Sequence, residues 1–101
     1  KLKRRSTPYL ALKVSILATM NRFEEAMEML DKIIKIKPKA HRFVLAKAEL
    51  AIGIKNVEIA DQEFRKLLSM KPTDQSTIDL MREYFESIGD KDALKQIETL
   101  L

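Results

Sequence analysis

Cysteine and tryptophan are missing from this chain, and its 101 residues include one histidine, two glycines and three prolines. Without cysteine there is no disulfide and no thiolate metal site, although that absence says little about compartment. The single histidine, His41, opens a helical stretch beside a lysine-rich turn, so it is expected at the surface. No second histidine or cysteine stands by to complete a metal site of the usual spacing. Two glycines build no glycine-rich phosphate loop. No apolar run approaches the ~20 residues needed to cross a membrane, and no leader pattern is present. The chain does not start with Met and is read as a piece of a longer protein; a cytoplasmic setting is slightly favoured. Acid–base chemistry needs carboxylates in a pocket with shifted pKa values, and Asp79 with Glu83 on an open helix face offers neither. Neither catalysis nor a cofactor is expected.

What is abundant points one way. Lys, Glu, Ala, Leu and Met dominate, which favours an all-helical chain of one domain at most. The net charge of +4 comes entirely from Lys1, Lys3, Arg4 and Arg5. The remainder is neutral but polarised: +2 over residues 7–40 (6 basic, 4 acidic), +1 over 41–74 (6 and 5) and −3 over 75–101 (3 and 6). The high pI therefore reports a basic lead, residues 1–6, and not a nucleic-acid surface on the fold. That lead is read as a solvated end, with contact to phosphate or an acidic partner as the alternative.

The chain also repeats itself. Residues 24–38 read EEAMEMLDKIIKIKP, and 34 residues later 58–72 read EIADQEFRKLLSMKP. Ala26 maps onto Ala60, Leu30 onto Phe64, Ile33 onto Leu67, and Lys37-Pro38 onto Lys71-Pro72. A fixed period of this length means stacked supersecondary units, and it sets the architecture before any single helix is argued.

Six helices fit the pattern. Thr7-Pro8 starts the first, a capping residue before a proline in the first turn, and it runs to about Met20. Asn21-Arg22-Phe23 turns into a helix from about 24 to 36, with Glu24 and Glu25 in its first turn and Lys35 in its last. The third spans about 40–52, with Gly53 expected as the C′ residue, the left-handed one just past its end. The fourth spans about 57–70. Asp74 caps a fifth over 75–88, and Gly89-Asp90 separates it from a sixth that runs from 91 to the end. Leu10, Val14 and Leu17 form one apolar stripe, and Val44, Ala48 and Ala51 repeat it. The five methionines are expected mostly in the core, with Met29 the one candidate for an adaptable surface. In the last helix Leu94, Ile97 and Leu101 form an apolar edge with no polar capping helix after it, which is expected to meet more protein or another copy.

Small residue, bulky apolar residue four on, then proline after the helix resembles the tetratricopeptide repeat. With Pro38 at place 32 of that family's 34-residue pattern, repeats start at Thr7, His41 and Gln75. The first shows Leu10, Val14, Leu17, Ala26, Leu30 and Pro38; the second shows Val44, Ala48, Ala51, Ala60, Phe64 and Pro72. The third, residues 75–101, is shortened and degenerate: Ala93 comes one place early and no proline is reached. Lys13 and Lys47 replace leucine at place 7 and Arg82 replaces a small residue at place 8, so those helix pairs are expected to be looser or rotated.

The resemblance implies antiparallel helical hairpins stacked in a right-handed solenoid, acting as a protein–protein interaction scaffold or adaptor. It also implies a concave groove, here formed by Ala11, Ser15, Ala18, Arg42, Leu45, Glu49, Ile52, Asp79, Glu83 and Glu86. One end would be small and mostly apolar, the other acidic. Asp79, Glu83 and Glu86 share a helix face, where like charges repel mildly. That face is either simply solvated or suited to a basic or amphipathic peptide or helix. The basic clamp that some relatives use for acidic chaperone tails is not matched at Ala11, Ser15, Ala46, Ser76 and Leu80. Self-association head to tail is the alternative, through unlike ends. RNA binding is more distant, because Arg42 is the one basic groove residue and no aromatic joins it; nucleic acid is not an expected partner.

Overall fold

The computed structural model describes residues 7–101. The basic lead at 1–6 lies outside the described residues. Six helices account for nearly all the rest: α1 (Thr7–Thr19), α2 (Phe23–Ile36), α3 (His41–Gly53), α4 (Val57–Ser69), α5 (Gln75–Ile88) and α6 (Lys91–Glu98). Each odd helix packs on the even helix after it, giving three hairpins; α2 packs on α3, and α4 on α5 and α6. The fold is all-α, as expected, and the hairpins make a body of 44 × 25 × 19 Å.

The three hairpin turns are one turn repeated every 34 residues. Asn21, Lys55 and Gly89 have positive φ, at 60°, 60° and 70°. At each, the next residue's N–H reaches back to the helix: Arg22 to the Leu17 carbonyl at 2.8 Å, Asn56 to Ala51 at 2.8 Å, Asp90 to Phe85 at 3.0 Å. A second set of bonds, spanning three residues instead of five, runs from Asn21 to Ala18, Lys55 to Ile52 and Gly89 to Glu86. This pair of bonds is the Schellman motif, which consumes two orphan carbonyls at a helix end. The expectation at Gly53 is corrected. Gly53 lies within α3, and the left-handed residue is Lys55. The motif fixes that residue by hydrogen-bond register, and Lys55 occupies it despite its Cβ.

The residue after each left-handed turn also starts the next helix. Asn56 accepts from the Ile59 N–H at 3.1 Å, and Asp90 from the Ala93 N–H at 3.0 Å. Asp74 caps α5 in the same way through Thr77 at 3.1 Å. Arg22 has no acceptor to offer, and instead its guanidinium grips Glu25 through two bonds of 2.7 and 2.6 Å. Glu25 thereby offsets a cation at the positive end of the helix dipole.

The predicted stripes form the core. Val44, Ala48, Ala51, Ile33, Leu67, Met81 and Phe85 are completely enclosed. Met27 and Met81 are buried and Met29, the one surface candidate, is half-buried like Met70, but Met20, expected in the core, is exposed. In α6, Ala93 and Ile97 are buried while Leu94 and Leu100 are half-buried and Leu101 is exposed. Counted from the left-handed residue of its turn, α6 buries the fourth and eighth positions, where α2 buries the fifth and ninth. The early placement of Ala93 thus corresponds to a rotated helix. Lys47 is not a loose substitute for leucine. Its ammonium lies 2.7 Å from Asp31 of α2 and 3.8 Å from Glu63 of α4, so a half-buried cation ties two hairpins together.

Candidate functional site

The ten residues expected to line a groove sit on three helices. On α1, Ala11 is half-buried against the cluster of Leu10, Leu30, Ile33 and Phe43. Ala18 is also half-buried, and Ser15 turns its hydroxyl back to the Ala11 carbonyl at 3.3 Å. On α3, the Arg42 guanidinium lies 4.7 Å from the Phe43 ring centre, and Leu45 packs into the core. Glu49 and Ile52 are exposed. On α5, Asp79 accepts from Gln75 at 2.7 Å and sits 3.5 Å from Arg82, so its charge is partly met. Glu83 and Glu86 are exposed, and among the described residues neither they nor Glu49 has an ion-pair partner.

Three of the ten come together. A cleft of about 230 Å³ between α3 and α5 is lined by Glu49, Ile52, Phe64, Leu80, Glu83 and Tyr84. Its walls are apolar and two carboxylates stand on it. Ala11, Ser15, Ala18, Arg42, Leu45, Asp79 and Glu86 do not line it. Sequence reasoning missed Phe64, Leu80 and Tyr84. Part of the signal was present: Leu80 and Tyr84 are four apart on α5 and share one flank, and Glu83 is about one turn after Leu80.

The cleft has a rigid floor. The Phe64 and Tyr84 rings stack with centres 4.4 Å apart and planes 11° apart, and Phe85 meets Tyr84 edge-on at 5.0 Å. The Tyr84 hydroxyl donates to Asp61 Oδ1 at 2.6 Å. Arg65 donates to Asp61 Oδ2 at 2.8 Å and to Asp90 Oδ2 at 2.9 Å. One network therefore joins α4, α5 and the cap of α6. The Arg65 bond, then the Tyr84 bond, hold the Asp61 carboxyl below its ordinary range. Burial first, then the Asp61 contact, push the Tyr84 phenol up to about 12.

His41 lies between exposed and buried, and its Nε2 is 2.8 Å from Asp74 Oδ1. The start of α3 is thereby linked to the cap of α5. Among the described residues no cluster of His, Asp or Glu is arranged to hold a metal ion, and no helix is long and apolar enough to cross a membrane.

What this arrangement offers is a surface. An apolar slot between two free carboxylates can receive an apolar side chain and pair a cation beside it. Comparison with known proteins agrees with the hairpins: residues 7–40 match the tetratricopeptide repeat, a family that is typically non-catalytic. No similar curated protein and no similar solved structure was found. Residues 7–40 are a tetratricopeptide repeat, which implies protein partners in general, and the chain that carries it is a helical-repeat protein.

Proposed function

We propose that the α3–α5 face binds a basic, amphipathic peptide or helix of another protein, and that this is the chain's work as an interaction module. The observation that carries the reading is the cleft itself, where Glu49 and Glu83 stand unpaired beside Ile52, Leu80 and the Tyr84 ring. A large apolar side chain of the partner fills the slot, and a Lys or Arg one helical turn away answers the carboxylates. Leaving like charges together on α5 costs a few tenths of a kcal/mol per pair, and a cationic ligand relieves that cost. Electrostatic complementarity of this kind sets specificity and on-rate more than raw affinity.

The test is a displayed random-peptide library panned against the wild type and counter-selected with a Glu49→Lys, Glu83→Lys, Glu86→Lys variant whose helicity is checked by circular dichroism. Enriched peptides should carry one bulky apolar residue flanked by Lys or Arg, and should bind more weakly as salt rises. Peptides without basic enrichment, or equal binding to both proteins, would refute the reading.

A further inference from the structure

A second surface needs no ligand of a new kind. In α3, Ala46 and Leu50 pack against the core of the preceding hairpin, Leu10, Leu30 and Ile33. Ile54 joins the cluster that holds Met27 of α2. In α5, Tyr84, 34 residues after Leu50, stacks on Phe64 of the hairpin before it. One flank of each odd helix is thus the flank that docks backwards. The same register in α1 is Leu12, Ile16 and Met20, and these are 54%, 50% and 54% exposed. At the other end the register reverses. Ile33 and Leu67 are each fully buried; in the register of α6, one residue early, their counterpart is the half-buried Leu100, and Leu101 beside it is 69% exposed.

We propose that these two surfaces meet between copies of this chain, with α1 of one copy docked on the α5–α6 hairpin of the next, head to tail. Three observations select a second copy. The surface that α3 and α5 each dock on is the outgoing side of a hairpin of this sequence, and α5–α6 supplies another such side. The charges are complementary: the one charged residue of α1 is Lys13, and residues 75–101 carry a net −3. A specific pair also carries over. Lys47 reaches Asp31 of the preceding hairpin at 2.7 Å. The same step across the junction, with the register of α6 one residue early, sets Lys13 of one copy beside Glu98 of the next. A head-to-tail contact is not self-complementary, so it carries assembly past the dimer, into a ring or an open chain. This inference goes beyond the peptide-binding face and does not depend on it.

Sedimentation velocity of the 101-residue chain tests it. The average mass should rise with concentration without stopping at a dimer, and fall as salt rises. Ile16→Glu blocks one surface and Leu101→Glu the other, at positions half exposed or more, so each variant should stay helical by circular dichroism and run as a monomer. An equimolar mixture retains one good junction and should give a dimer and nothing larger. Lys13→Glu and Glu98→Lys should each weaken association and restore it when mixed. A wild type that is monomeric at every concentration overturns the proposal. So does a Leu101→Glu protein that still dimerises, since that would be α1 pairing with α1, or a mixture that stays monomeric.

Discussion

Tyr84→Phe isolates one hydrogen bond in the network that fixes the last hairpin. The ring stays, so its stack on Phe64 at 4.4 Å and its edge contact with Phe85 stay. What goes is the hydroxyl bond to Asp61, 2.6 Å long and to a charged acceptor. Such bonds contribute about 1.5–3 kcal/mol. Asp61 keeps Arg65 and remains about a third exposed to water, its side chain at 34%, so the loss should fall below that range, at about 1 kcal/mol. That is a fall in Tm of about 5 °C for a domain of this size. Tyr84→Leu should lose the stacking as well, about 1 kcal/mol more. The pH dependence sharpens the test. Burial and the Asp61 contact raise the Tyr84 pKa from the ordinary 10 to about 12 in the folded chain. The folded state therefore holds the phenolic proton more tightly than the unfolded chain does. Tyr84's contribution is complete below pH 10 and is lost as pH rises through 12. Urea titrations followed by circular dichroism should show the gap between wild type and Tyr84→Phe constant near neutrality and narrowing from about pH 10 upward. A variant as stable as wild type at neutral pH, or a gap unchanged up to pH 12, would refute the account of the network.

Other perturbations probe the turns and caps. Asp74→Asn keeps a good capping residue but removes the charge that the Thr77 hydroxyl, the Thr77 N–H and His41 hold at a pKa of about 2, below the ordinary 3.8. Because that pKa is depressed in the folded state, Asp74 contributes stability above pH 3.8 that is lost as pH falls through 2; urea midpoints of wild type and variant should converge across that window. Lys55→Gly should gain about 0.5 kcal/mol and Gly89→Ala should lose about 1 kcal/mol. Both sites are left-handed, and a Cβ at Gly89 meets no atom within 4 Å, so strain alone acts there. Thermal melts with the opposite order would remove the repeated turn as their explanation.

The helices were legible because their signals are local. Proline after lysine, acidic first turns, Asp74 and Asp90 as caps and the apolar stripes each act within a few residues, and they placed every helix to within a residue or two apart from the end of the last. Gly53 misled because glycine is the usual left-handed residue, and here the motif's register put Lys55 there instead. The floor of the cleft was not legible for a different reason. Phe64 comes from α4 and Tyr84 from α5, and whether they stack depends on how two hairpins sit against each other, which no local pattern encodes. Arg65 posed the same difficulty. Its bond to Asp61 is a helical i, i+4 pair and could be expected, but its bond to Asp90 crosses 25 residues.

The two seams between hairpins explain why the cleft lies where it does. At the first, Ala46 and Leu50 of α3 pack against the cluster that holds Leu30 and Ile33, an aliphatic contact. At the second, 34 residues on, Leu80 replaces Ala46 and Tyr84 replaces Leu50. A flat ring stacked on another ring fills a slab and leaves its edges open, and the cleft of Glu49, Ile52 and Glu83 borders that slab. Leu80 and Tyr84, the residues that differ between the two seams at this register, thus help to shape the candidate binding face. In the first hairpin the same register carries Leu12 and Ile16, each half exposed among the described residues. A repeat that varies residue by residue at one register can close one seam, open a slot at the next, and leave a third side free for another molecule.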